Sequence, residues 1–560
     1  MRNRKFSWKK FGKRLLYTAL VFVGLLLIGF IYLYCVAIEH PPKPADLSSL
    51  QLQRKQPSPG FYTIGNNWFR KSKSGLFEMY VEGKPFERGV INGKLSKELV
   101  VNQEVYFTDQ IGKIVPSKSY LSFLKYFIAW FNRDLAKNVN EEYKEEIYGI
   151  SKSASDKFQY IGSNYQRILN YHAAHDIGHA LQSMALVGCT SFGTWNDRSA
   201  YGTMIVGRNF DFYVGDNFAH DKMVAFFNPS EGHKFMTITW GGFVGAVSGM
   251  NEKGLSVTIN ADKTNIPSGS ATPVSLVARE ILQYAQNINQ AIAIAKKRKM
   301  FVSESFLVAS AEDNKAVVIE KTPDTLDVYD PHQNYILCAN HFQSKGLAHS
   351  KENLVQLSNS ASPYRYQRLM ELLNAEGKNT VQKTVDILRD RQGLHGEDIG
   401  MGNEKALNQL IAHHSVVFEP QKLIVWVSTS PWQLGQFVAY DLKKIFAMKG
   451  MQTDHEVIDT SLTIKPDTFL NTKAYRDFIT YRTLKQKAFD GGEINPDSVV
   501  ASNPQFYHAY VIAGDYSFKH NNYKKALGYY KAALTKVIAT VNEENYIKKQ
   551  VEKCTKKLSS

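Results

Sequence analysis

Gly188-Cys189-Thr190-Ser191-Phe192, followed by Gly207-Arg208-Asn209-Phe210-Asp211, is the stretch on which the reading of this chain turns. A small residue precedes a thiol, and two hydroxyl residues follow it. The run 201–206 reads as a strand that delivers an Arg and an Asp three residues apart. Upstream, from 95 to 185, apolar residues recur three and four apart, the spacing of helices. Downstream the character changes. Short β-rich runs at 204–206, 223–227, 235–240, 246–248 and 255–260 are separated by Gly and Asn, as hairpin turns require. Residues 274–299 read as helix, 306–309, 316–320, 326–329 and 335–339 as strands, and 366–373 and 381–389 as helices. Strands return at 416–418, 423–427 and 437–440. Strands, helices, then strands predict two sheets packed face to face between helix layers.

A chain of 560 residues exceeds one compact core and has ample length to bury a large one. The net charge of +16 invites a nucleic-acid reading until it is located. Arg2, Arg4, Lys5, Lys9, Lys10, Lys13 and Arg14 supply seven of those charges with no acid among them, and no nucleic-acid module follows. Residues 15–38 are uncharged and apolar, roughly 36 Å as a helix, enough to cross a hydrocarbon core of about 30 Å. A cleavable signal has a shorter apolar region. The basic flank predicts a single-pass cell-membrane anchor with a cytoplasmic N-terminus and an exported body, periplasmic or extracellular. Tyr34 before Cys35 is too large for lipoprotein processing, so a plain anchor is expected. Beyond the anchor lie only Cys189, Cys338 and Cys554, too few for a disulfide scaffold, which favours a chemical role for one of them.

Residues 39–75 carry Pro, Ser and Lys with weak periodicity and read as a tether. Phe77, Met79 and Val81 alternate, and Gly83-Lys84-Pro85-Phe86-Glu87-Arg88-Gly89 reads as a turn. His172, His175 and His179 share a helix face in 168–185, which raises zinc. No Cys or Glu completes a recognised zinc spacing, so no metal is expected. The tail is helical, and in 506–534 Gly514, Ala526, Tyr530 and Ala533 fall where a tetratricopeptide unit places its packing residues. A single unit cannot form a solenoid, so this one packs on the catalytic part or binds a protein partner.

An N-terminal cysteine carries its own base, because its α-amine titrates near the thiol (about 7.7–8.0 against about 8.5). Cys189 reaches that state if its thiol attacks the Gly188 carbonyl, an N-to-S acyl shift follows and water opens the thioester. Glycine before it eases a strained peptide. A buried structural cysteine is the bland alternative. Arg208 can lower the thiol pKa, and Asp211 can hold the new α-ammonium. Asn260 ends the strand after Gly249-Met250-Asn251-Glu252-Lys253-Gly254-Leu255. Asn340 follows Leu337-Cys338-Ala339, and Arg365 stands near the start of the helix opened by Ser362-Pro363-Tyr364.

These motifs, in this order, resemble the N-terminal-nucleophile hydrolases, within them the group of choloylglycine hydrolase, penicillin V acylase, acid ceramidase and the fungal acyl-coenzyme A:6-aminopenicillanic acid acyltransferase. Glu145-Glu146-Ile147-Tyr148-Gly149-Ile150 is most similar to the acyltransferase branch, whose pro-segment stays bound after cleavage. The resemblance covers about residues 80–445. It implies an α+β, αββα sandwich, here with an N-terminal transmembrane helix and an all-α C-terminal extension. It implies Cys189 as nucleophile and base, Arg208 and Asp211 tuning it, Asn340 and Asn260 as oxyanion donors, and Arg365 completing the cluster. No cofactor is implied. Strand alternation puts Cys338 on the face of Asn340, close enough to Cys189 to consider a disulfide, with a packed neutral thiol as the alternative. The expected organisation is a basic tail 1–14, anchor 15–38, tether 39–75, helical pro-segment 76–188, catalytic part 189–446 and helical tail 447–560. The expected activity is hydrolysis of a linear, amphiphilic acyl amide through a Cys189 thioester. The alternatives are acyl transfer to an amine, and a silent scaffold with a binding tail.

Overall fold

The computed structural model describes residues 8–36, 38–114, 117–174, 176, 188–213, 215–263, 265, 267, 269–375, 377–451 and 455–559. The helix Trp8–Val36 is long and apolar enough to cross a membrane, and none of its apolar window is buried against the rest of the chain.

The body is a mixed helix and sheet structure built on two sheets. Among the described residues, one has eleven strands. It runs from Lys55–Ser58 through Phe61–Ile64, Asn67–Lys71 and Phe77–Gly83 to Met223–Pro229, then on in chain order to Leu326–Tyr329. The other has seven, in the order Tyr335–Cys338, Thr190–Asn196, Gly202–Phe210, His414–Glu419, Ile424–Ser428, Phe437–Asp441 and Ile458–Ile464. Alternation along each strand sorts side chains between layers. In Met223–Pro229, Val224 and Phe226 face the second sheet, where they meet Met204 and Val206. Met223, Ala225 and Phe227 face a helix layer with Val90, Ile91, Ile147, Val277 and Ile281 in and around its core. Beyond the second sheet, Phe192 and Ile205 pack on Leu369, Val385 and Leu388. The layers are helix, sheet, sheet, helix, as the order of elements predicts.

Several local readings change. The stretch expected as a tether holds three strands from residue 55 onward, and Asn67–Lys71 is buried through Arg70. The expected turn at Gly83–Gly89 is the start of the helix Pro85–Leu95, with Pro in its first turn. The expected helix 274–299 is two, Val274–Tyr284 and Ile288–Lys297, because the Asn287 side chain caps the second. The expected strand at 246–248 lies at Ser248–Asn251. The second sheet continues to Ile464, so the helical tail starts later than residue 447.

The helices Pro85–Leu95 and Glu141–Ser151 cross closely. A Cβ on Gly89 would lie 2.0 Å from the Glu146 carbonyl oxygen, and one on Gly149 2.5 Å from that of Phe86. Glu146 is buried there between Arg88 (2.7 Å) and Arg279 (3.0 Å). In the tail, the helices Tyr507–Lys519 and Tyr523–Ala533 form a hairpin with Gly514 against the Tyr530 ring. The tail shares a core with Leu410 and Leu434, so it packs on the sheet domain.

Candidate active site

Cys189 is buried and directly precedes the strand Thr190–Asn196. Its neighbour strand Gly202–Phe210 runs antiparallel, with Ser191 opposite Arg208, so the guanidinium returns to the cysteine and Asp211 follows the strand end. Leu255–Ala261 brings Asn260, the end of Tyr335–Cys338 brings Asn340, and the first turn of the helix Ser362–Asn374 brings Arg365. All six residues predicted from the sequence meet in one buried cluster.

Arg208 Nη2 lies 3.7 Å from Cys189 Sγ and also donates to the Ile259 carbonyl. Arg365 Nη1 donates to the carbonyls of Gly188 (2.6 Å) and Cys189 (2.8 Å) and to Thr190 Oγ1 (3.0 Å). Its Nη2 donates to Asn340 Oδ1 at 2.8 Å. Ser191 Oγ donates to Asn260 Oδ1 at 2.8 Å. The two hydroxyls after the cysteine thus tie it to Arg365 and to Asn260.

The two asparagines do not reach the Gly188 carbonyl. Asn260 Nδ2 donates to the carbonyls of Cys338 (3.2 Å) and Ala339 (2.9 Å), and Asn340 Nδ2 to that of Ala261 (2.8 Å). With the 188–189 peptide intact, the roles expected of them as oxyanion donors are not engaged.

Burial pushes the Cys189 thiol up to about 11, with Arg208 opposing and Asp211 and Glu304 adding to the rise. Asp211 is pushed up to about 7 by burial, offset in part by Arg365 and Arg208. Neither of its carboxylate oxygens has a hydrogen-bond partner. A buried carboxylate without a hydrogen-bond partner is costly.

Three further residues carry no sequence signal of their own. Gln409 Nε2 donates to the Gly188 carbonyl at 2.8 Å. Ser248 Oγ accepts from Arg208 Nη1 and lies 2.8 Å from His414 Nε2. A guanidinium only donates, so the Ser248 hydroxyl donates onward to His414, whose Nδ1 meets His413 Nδ1 at 2.9 Å. This chain fixes Arg208 from behind. Strand pairing alone could have placed His414, which is opposite Phe210.

Cys338 is a buried free thiol packed between the sheets, with Sγ 3.8 Å from the Ala339 carbonyl. Burial holds it well above the ordinary thiol range. His172 is engaged by the Ile168 carbonyl (2.8 Å) and the Val244 N–H (3.0 Å), so both ring nitrogens serve packing. His175 and His179 lie outside the described residues. An open cleft of about 920 Å³ lined by Arg389, Arg391 and Asp467 contains none of the six residues.

Residues 198–429 match the family model of acyl-coenzyme A:6-aminopenicillanic acid acyl-transferase, a span that holds five of the six residues and begins just after Cys189. An uncharacterized protein of Archaeoglobus fulgidus is 24% identical over 401 residues, 64% of this chain and 65% of that one. Protein dcd1B of Dictyostelium discoideum is 21% identical over 271 residues, 45% of this chain and 51% of its own. The chain thus spans between half and two thirds of the length of these curated relatives. Similar solved structures include the following two. The Caenorhabditis elegans N-acylethanolamine-hydrolyzing acid amidase ortholog is 19% identical, covering 42% of this chain and 93% of that one, with a TM-score of 0.30. A mutant of conjugated bile acid hydrolase from Clostridium perfringens is 15% identical, covering 50% and 97%, with a TM-score of 0.32. Residues 198–429 thus resemble the acyl-coenzyme A:6-aminopenicillanic acid acyl-transferase family.

Proposed function

We propose that this protein is a membrane-anchored cysteine amidohydrolase that cuts its own Gly188–Cys189 bond and then opens a linear acyl amide through a thioester on Cys189. One observation carries the reading: a buried thiol beside the Arg208 guanidinium shares its cluster with an Asp211 carboxylate that has no partner. In the cut chain the α-amine of Cys189 supplies both missing pieces. It takes the thiol proton as base, and as ammonium it faces Asp211. Arg208 then favours the thiolate by charge, against the burial that keeps the thiol neutral in the uncut chain. Attack on a substrate carbonyl places negative charge on its oxygen, for which Asn340 and Asn260 are the side-chain amides at hand once rearranged. The leaving amine takes the proton and water resolves the thioester.

The apolar helix Trp8–Val36 and its basic flank support a body on the exported side of a membrane, which suits an amphiphilic acyl amide. An amine that outcompetes water would make the same thioester an acyl-transfer intermediate.

The test is intact mass and N-terminal sequencing of the purified chain beside Cys189→Ala. Two fragments, the second starting at Cys189, with an uncut variant, are expected, followed by release of free acid from acyl amides by the cut form. An uncut wild-type chain with no turnover would sink the reading.

A further inference from the structure

The Gly188 carbonyl oxygen has two side-chain donors, Arg365 Nη1 at 2.6 Å and Gln409 Nε2 at 2.8 Å. We propose that Gln409 and Arg365 form an oxyanion site dedicated to the chain's own cleavage, separate from the asparagine amides that would serve a substrate. This rests on the reading of Cys189 as the nucleophile.

In the step, Cys189 Sγ bonds to the Gly188 carbonyl carbon and the carbonyl electron pair moves onto oxygen. The adduct collapses by breaking the Gly188 C–Cys189 N bond, and the nitrogen ends with the proton the thiol gave up. Water then adds to the thioester carbon, and the sulfur leaves with a proton. The products are a Gly188 carboxylate and a Cys189 with free thiol and free amine. Negative charge therefore develops on the oxygen to which Arg365 and Gln409 already donate in the intact peptide. Asn260 and Asn340 point their amides at the Cys338, Ala339 and Ala261 carbonyls instead.

The glycine is part of the same device. A Cβ on residue 188 would lie 2.2 Å from Gln409 Nε2 and 2.6 Å from its Oε1, so any larger residue displaces the donor. Gln409 itself is buried on a locked segment. Leu410 after it has φ of 55°, and its N–H is held by Asn408 Oδ1 at 3.0 Å. Asn408 N–H donates to the Asp390 carbonyl at 2.8 Å. The helical tail closes the segment's other end: Asn403 Nδ2 donates to the Val537 carbonyl, and Asn503 brackets the Met401 backbone through both its amide atoms.

The experiment follows appearance of the Cys189 fragment by intact mass after cell-free synthesis of the full chain into detergent. It uses wild type, C189A, Q409L, Q409E, G188A and the G188A/Q409A pair beside Q409A, with a thermal melt of each. Q409E keeps the size of the side chain and donates nothing once ionised. Wild type is expected to cut and C189A to stay whole. Q409L should cut about 100-fold more slowly while melting like wild type, and Q409E should cut as slowly with its carboxyl ionised, at a cost in melting temperature. G188A should slow wild type but add nothing to Q409A, because its Cβ acts by evicting that donor. Wild-type cutting rates in Q409L and Q409E, or an equal G188A penalty in both backgrounds, would overturn the assignment and leave Cys189 standing. An uncut wild type, or a C189A chain that cuts, would overturn the underlying reading as well.

Discussion

Two buried clusters in this protein are built from the same groups and settled in opposite ways. At the crossing of Pro85–Leu95 and Glu141–Ser151, Glu146 lies between Arg88 and Arg279. Burial pushes its carboxyl up, but the two guanidiniums outweigh burial and hold it below the ordinary value. Around Cys189, Asp211 is equally buried, and Arg365 and Arg208 only partly offset burial, because the Nη groups of both guanidiniums donate to carbonyls, Asn340, Ser248 and the thiol rather than to its oxygens. A carboxylate that serves packing is paired. Asp211 has no such partner, and in the proposed reaction it faces the α-ammonium that cleavage would create.

Removing the carboxylate should therefore have opposite signs at the two places. Glu146→Gln leaves two buried guanidiniums without their counter-charge and should cost about 3–5 kcal/mol, read as a large loss of melting temperature in a C189A background. A variant as stable as its parent would erase the distinction. Arg365→Lys keeps the charge but cannot hold the Gly188 and Cys189 carbonyls, Thr190 and Asn340 together. Cutting about 100-fold slower is expected in the same mass assay. Asp211→Asn in a C189A background should raise the melting temperature by a few degrees at pH 8. The sign follows from its folded pKa of about 7, above the ordinary 3.8. The folded state resists losing that proton, so stability falls as pH rises from about 4 to about 7. The gain from the variant should then be smaller at pH 5, and an equal gain at both pH values would mean that Asp211 titrates normally. Asn503→Ala, which frees Met401 from the tail, should slow cutting less than tenfold; a loss as large as that of Arg365→Lys would make the tail part of the site rather than its support.

The six clustered residues were legible because each stands in a short motif beside a strand end or a helix start, where chain direction alone aims side chains together. The layer order followed from alternation of strands and helices. Gln409 had no such signal: it sits in an irregular segment whose course depends on Asn408, Asp390 and the tail, contacts made far along the chain. The role of Glu146 was hidden for the same reason, since Arg279 is over a hundred residues away. The strands from residue 55 were masked by the exposed, Lys- and Pro-bearing edge strand Lys55–Ser58. Their signal is Gly65-Asn66, a two-residue hairpin turn between Phe61–Ile64 and Asn67–Lys71, with Gly65 at φ 58°.

The parallel ladder between Phe77–Gly83 and Met223–Pro229, seven residue pairs long, joins material from either side of residue 188 within a single sheet. Should the chain be nicked there and the helix Trp8–Val36 span a bilayer, the anchor and the Cys189 sulfur would belong to different polypeptides, and no covalent link would keep the sulfur at the bilayer. The joint between them would be this seam, buried in a sheet and as strong as the fold itself. Washing membranes with salt would leave the cysteine behind, whereas unfolding would release it with the anchor still in place. Residence at the membrane would then report on whether the enzyme is folded.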